Sequence, residues 1–75
     1  MNKIRRNQIQ QTIQQIEEIR DALQDILNDE YEAYDNMPDG LKYSERGEAS
    51  EEAQASMESA IDSLGEATSY LEEIV

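Results

Sequence analysis

The chain has 75 residues, 18 acids against 6 bases for a net charge of −12, and neither cysteine nor histidine. That length allows one small domain, whose single core supplies only about 3–5 kcal/mol. The missing residue types exclude disulfides, thiolate metal sites, imidazole zinc ligands and the commonest general base, which leaves oligomerisation as the expected extra source of stability.

No apolar run approaches the roughly 18 residues needed to span a bilayer. The basic residues after Met1 are not followed by the apolar segment of a secretory signal, so a soluble, cytoplasmic protein is expected. The charge is unevenly spread. Residues 1–16 hold Lys3, Arg5 and Arg6 and no acid, whereas the remainder holds every acid and only Arg20, Lys42 and Arg46 as bases. Such a surface repels nucleic acid and anionic membrane and attracts basic proteins. An acidic chain with few aromatics also has the composition of a disordered one, but a strict apolar period argues for folded helices.

The first predicted helix covers residues 3–35. Ile9, Ile13, Ile16, Ile19, Leu23, Ile26, Leu27, Tyr31 and Tyr34 step by three or four and fall in an arc of about 140°, wide enough to meet more than one neighbour. The opposite side carries glutamines first, then Glu18, Asp21, Asp25, Asp29 and Glu32. Arg20 falls inside the apolar arc. Its stem is expected to pack while the guanidinium reaches water or a glutamate of another helix; the alternative is a residue that specifies register and partner, as polar seam positions do in coiled coils.

The connector is expected at residues 36–43. Pro38 disfavours helix at Met37, and Pro38-Asp39-Gly40 reads as a turn in which Gly40 accepts a positive φ. Ser44 suits an N-cap with Glu45 in the first turn, although Gly47 prevents a full capping box. The second predicted helix covers residues 44–74. Met57, Leu64 and Leu71 recur at seven, with Ala60, Ala67 and Ile74 between them, the spacing of a packed seam, and Ala49, Ala53, Ile61 and Val75 complete the apolar stripe. Gly65 sits inside this helix at a cost of roughly 1 kcal/mol relative to alanine.

The two helices have matched lengths of about 50 and 46 Å. The expectation is therefore an all-α chain, a single domain over residues 1–75, folded as an antiparallel two-helix hairpin. Its seam would comprise Ile9, Ile13, Ile16, Arg20, Leu23, Leu27, Met57, Leu64 and Leu71. A positive helix start is unfavourable, but folded back it would set Lys3, Arg5 and Arg6 beside Glu66, Glu72 and Glu73. One hairpin leaves part of the wide arc uncovered, so a homodimer closing an elongated four-helix bundle is expected.

Candidate sites are few. Catalysis would depend on carboxylates of exposed helix faces with ordinary pKa values, so no enzyme is expected. The connector begins like a calcium loop with Asp35, Asp39 and Gly40, but Met37 and Arg46 occupy ligand positions; no metal or cofactor is expected. Met37, Leu41 and Tyr43 either plug the end of the bundle or form a partner-binding tip.

The acidic stripes are the main functional feature. Glu51, Glu58, Asp62, Glu66 and Glu73 fall in a wedge of about 80°, and Asp21, Asp25 and Asp29 continue the stripe of the first helix. Same-sign neighbours one turn apart cost a few tenths of a kcal/mol each, and interspersed lysines would avoid that cost in a face built only for solubility. Carboxylates every 5–6 Å match the scale of phosphate spacing, a pattern suited to mimicry of DNA or RNA toward a basic groove. The competing reading is a solvated face of a small acidic protein.

The segments Asp35-Asn36-Met37-Pro38, Ser44-Glu45-Arg46-Gly47-Glu48 and Ala60-Ile61-Asp62-Ser63-Leu64 resemble a group of short acidic proteins encoded by bacteriophages and mobile elements of Gram-positive bacteria. The resemblance covers about residues 28–74. It implies a phage or mobile-element setting, where small acidic proteins often inhibit host nucleases, defence systems or transcription, and it assigns no residue a role. The expected function is inhibition or modulation of a basic, nucleic-acid-binding host protein such as a nuclease, without direct contact to nucleic acid or membrane. The alternative is a structural adaptor whose charge is incidental.

Overall fold

The computed structural model describes Met1–Val75. The chain is all-helical and elongated: α1 spans Lys3–Asp35, α2 Asp39–Lys42 and α3 Glu45–Glu72, in a body of 58 × 15 × 12 Å. Helix α1 starts on Asn2, whose side-chain oxygen accepts from the Arg5 N–H at 2.9 Å. Arg6 reaches back to donate to the Met1 carbonyl at 2.8 Å. The first of these bonds satisfies one of the N–H groups that the start of a helix leaves without a partner. The helix ends where Pro38 forces Met37 out of helical geometry, and the Asn36 N–H closes it on the Glu32 carbonyl at 3.0 Å.

The connector differs from expectation. No glycine has a positive φ, so Pro38-Asp39-Gly40 is not the turn that the sequence suggested. Pro38 instead stands at the head of a single helical turn, and its carbonyl accepts from Leu41 at 2.8 Å and from Lys42 at 3.1 Å. Asp39 begins this turn and Lys42 ends it, the charge order that a helix dipole favours. Ser44 holds the N-cap position of α3 in an extended conformation but makes no side-chain cap. Its hydroxyl donates to the Leu41 carbonyl at 2.5 Å instead. Glu45 and Glu48 supply the negative charge in the first turn of α3.

Helices α1 and α3 pack side by side. Ile13 and Leu27 of α1 are buried, Leu27 almost completely, and Ile9, Ile16, Arg20 and Leu23 are half-buried along the same line. On α3 the buried and half-buried residues are Gly47, Ser50, Ala53, Gln54, Met57, Ile61, Leu64, Gly65, Ala67, Thr68 and Leu71. Of the expected stripe, Ala53, Met57, Ile61, Leu64, Ala67 and Leu71 turn inward, whereas Ala49 and Ala60 are exposed, Ile74 is 43% and Val75 41% exposed, and Thr68 joins the seam instead. This orientation favours burial. Ile61 removes more apolar surface from water than Ala60 would, and the Thr68 hydroxyl is satisfied by the Gly65 carbonyl at 2.8 Å. No buried side-chain nitrogen or oxygen lacks a hydrogen-bond partner.

Two glycines sit at close approaches. A Cβ on Gly47 would collide with the Lys42 backbone, so this glycine lets the start of α3 pass the end of α2. A Cβ on Gly65 would come 2.9 Å from the Arg20 guanidinium, which lies over the bare backbone there. Arg20 therefore packs its stem in the seam and rests its head on α3.

The contacts also set the relative level of the helices. Tyr34 meets Glu51, Tyr31 meets Glu58 and Arg20 meets Gly65, so positions descend along α1 as they ascend along α3. By this level α3 ends roughly opposite residue 13 of α1, and about three turns of α1 run past it. Met1 through Gln8 are all exposed. The expected placement of Lys3, Arg5 and Arg6 beside Glu66, Glu72 and Glu73 is thus not made. The cause is length: α1 has 33 residues and α3 only 28, and α3 starts level with the connector rather than below it.

Candidate acidic groove

One flank of the α1–α3 pair forms a shallow, open groove of about 800 Å3. Its walls carry Glu17 of α1 and Asp62, Glu66, Glu72 and Glu73 at the end of α3, with Arg20 as the sole base on the floor. The groove forms because Gly65 has no side chain and Thr68 and Ser69 are short, which leaves a trough between the two helix backbones. Ser69 bonds its hydroxyl to the Gly65 carbonyl at 3.1 Å, so neither hydroxyl projects as a nucleophile. Tyr70 stands at the rim, 70% exposed.

Towards the connector the same flank is closed by two tyrosine–glutamate pairs. The Tyr31 hydroxyl donates to Glu58, and the Tyr34 hydroxyl donates to Glu51 at 2.6 Å. The bond to Glu58 holds the Tyr31 hydroxyl above its ordinary pKa, helped by partial burial and by the negative charge of Glu58. Tyr34 is raised in the same way by its bond to Glu51, then burial, then the charges around it. Lys42 places its ammonium 5.5 Å from the centre of the Tyr34 ring, within cation–π range.

The sequence-predicted acids are divided by this geometry. Glu51, Glu58, Asp62, Glu66 and Glu73 are all exposed along one edge of α3. Glu51 and Glu58 are engaged by tyrosines, whereas Asp62, Glu66 and Glu73 line the open groove. Asp21, Asp25 and Asp29 are exposed, but at 100° per residue they lie roughly half a turn from the seam and point away from α3. The two stripes do not converge. Glu17 and Glu72, outside both predicted stripes, join the groove instead; their neighbourhood became visible only once Arg20 was placed over Gly65.

At the connector Met37 is half-buried, Leu41 is 38% exposed and Tyr43 is 88% exposed. Met37 thus contributes to a smaller hollow with Glu30, Ala33, Arg46 and Ala49 on the other flank, while Tyr43 stands in solvent. No group of three or more carboxylates is arranged to hold a metal ion. No helix is long and apolar enough to cross a membrane.

No family model, no curated protein and no solved structure matches the chain.

Proposed function

We propose that the chain is a binding protein: an antiparallel α1–α3 hairpin that dimerises into an elongated four-helix bundle and uses its acidic groove to hold a basic, nucleic-acid-binding protein. In the phage or mobile-element setting that its resemblance implies, this is an inhibitor or modulator of the anti-defence type, acting in the host cytoplasm. The observation that carries the reading is the concentration of Glu17, Asp62, Glu66, Glu72 and Glu73 about one trough with a single arginine. Unpaired carboxylates of one sign focus a negative field that steers a basic partner to the groove. A groove with acidic walls presents to such a partner the charge of a phosphate backbone rather than a base sequence.

The experiment is competition. The tagged protein is incubated with host lysate, and short duplex DNA is added to what it captures. Release of a nucleic-acid-binding protein by the duplex supports occupation of that protein's nucleic-acid site. Retention of the captured protein at saturating duplex contradicts it.

A second reading rests on a separate observation, the exposed Leu41 and Tyr43 at the connector. An adaptor gripping through this tip would lose its partner on Leu41→Ala with Tyr43→Ala and would tolerate high salt, because apolar contacts are not screened.

A further inference from the structure

The flank opposite the acidic groove carries a second apolar line that α1 and α3 share. On α1, Thr12, Ile19, Ile26 and Ala33 recur at seven; on α3, Ala53, Ala60, Ala67 and Ile74 do the same. The level set by Arg20 and Gly65 brings Ile19 beside Ala67 and Ile26 beside Ala60, so the two lines form the rungs of one ladder. Ile19 is 59% exposed and Ile26 57% exposed. Helix α3 thus has two adjacent apolar edges: α1 covers one, and on the other Ala60 and Ile74 are exposed while Ala53 and Ala67 are half-buried.

Two quantities say what covers the other edge. The chain exposes 5616 Å2, whereas a compact monomer of its mass exposes about 4,700 Å2. The excess comes from the elongated 58 × 15 × 12 Å body, which leaves long flanks open to a second copy. Charge then selects the arrangement. Lys3, Arg5 and Arg6 lie on the part of α1 that runs past α3, while the connector end holds Asp35, Asp39, Glu45 and Glu48 against Lys42 and Arg46.

We infer that the second copy sits on this ladder with its connector at the opposite end, so that the basic start of α1 in each chain lies along the acidic connector end of the other. A two-fold axis crossing α1 midway between Ile19 and Ile26 satisfies both conditions. It sets Ile19 level with the partner's Ile26 and Ala67 level with the partner's Ala60, so the two rungs of one chain meet the two rungs of the other. It also brings Arg5 and Arg6 level with the partner's connector end and the start of its α3, where acids outnumber bases. Connectors at the same end would instead place the two basic segments together and leave both uncompensated. The acidic groove, on the other flank, stays open in this dimer.

This inference rests on the dimer proposed above, and its test separates the two. The chain has no native cysteine, so Tyr43→Cys carries a single nitroxide at a position 88% exposed in one chain. Light scattering gives the mass, and dipolar spectroscopy gives the distance between the two labels. A dimeric mass with labels about 50 Å apart, from a rise of 1.5 Å per residue on either side of the axis, is the expected result. A dimeric mass with labels under about 30 Å apart, the width of a bundle, overturns the orientation and leaves the dimer standing. A monomeric mass overturns both. Ile26→Lys, at a position already mostly exposed in the single chain, is expected to yield a helical monomer; an unchanged dimeric mass for this variant overturns the choice of face.

Discussion

Replacing Gly47 by alanine sets two effects against each other. In an open helix the change would stabilise by about 0.5–1 kcal/mol, because alanine loses less backbone entropy on folding. At Gly47, however, the new Cβ falls on the carbonyl, carbonyl carbon and Cα of Lys42, which are backbone atoms that no rotamer change can move. Relief requires α2 to shift off α3 or the first turn of α3 to open, and overpacking of this kind costs about 1–3 kcal/mol. The collision wins, leaving a net loss of about 1–2 kcal/mol and a melting temperature lower by about 5–10 °C for a chain of this size.

Gly65 and Gly40 provide the controls. At Gly65 the Cβ meets only the terminal atoms of the Arg20 side chain at 2.9 Å, and at Gly40 it meets nothing within 4 Å. Both alanine variants are expected to melt above the parent, by an amount corresponding to several tenths of a kcal/mol up to about 1 kcal/mol. Thermal unfolding followed by far-ultraviolet circular dichroism reads all three. Protein concentration must be held equal, since the proposed dimer would make the melting temperature concentration-dependent. A Gly47→Ala protein that melts at or above the parent would refute the close α2–α3 passage.

Three further outcomes follow from the packing and the charges. Leu27, the most deeply buried side chain at 2% exposure, should cost about 2–5 kcal/mol on change to alanine. That is comparable to the whole stability of so small a core, so circular dichroism should show most helix lost at room temperature. Arg20→Met, which keeps the stem and removes the charge, should unfold in urea within about 1 kcal/mol of the parent. A much larger loss would give the guanidinium a structural role beyond resting on Gly65.

Alkaline pH should destabilise the fold. Tyr31 and Tyr34 have pKa values raised above the ordinary 10.0 by donating to Glu58 and Glu51. A raised folded-state pKa gives stability that is complete below the unfolded value and lost as pH climbs through the folded one. Urea midpoints should therefore be flat on this account below about pH 9 and fall above about pH 10. The double change Tyr31→Phe with Tyr34→Phe should flatten that fall; an unchanged alkaline slope would show that the two pairs are not coupled to folding.

What the sequence made legible, and what it hid, divides along physical lines. The all-helical character was legible in the three-four apolar steps, and the end of α1 in Pro38, because both depend on local chemistry. The face that α3 turns to α1 was legible in part. Met57, Ile61, Leu64 and Leu71 lie on it as the apolar spacing suggested, but only contact with α1 shows that Thr68 joins them and Ala60 does not. The level of the two helices was hidden for a related reason. It depends on how much chain the connector consumes, and the helical turn Asp39–Lys42 with the crossing at Gly47 consumes it differently from a tight turn.

That level has consequences for the charges. It frees the basic start of α1, carries Arg20 onto Gly65, and recruits Glu17 and Glu72 to the groove while leaving Asp21, Asp25 and Asp29 on the back of α1. Acidity itself was plain from composition. Which acids could act together was a tertiary fact.

The central claim is that the acidic groove is the working surface. The most direct measurement compares two baits in one host lysate: the parent protein and the variant Asp62→Lys, Glu66→Lys, Glu73→Lys. These three acids line the groove, and none accepts a hydrogen bond from Tyr31 or Tyr34, so helix content should be retained and is checked by circular dichroism. Both baits are washed at low and then at high salt. The expected result is a nucleic-acid-binding protein held by the parent at low salt, released at high salt and absent from the variant. A partner retained equally by both baits through the high-salt wash would contradict the claim.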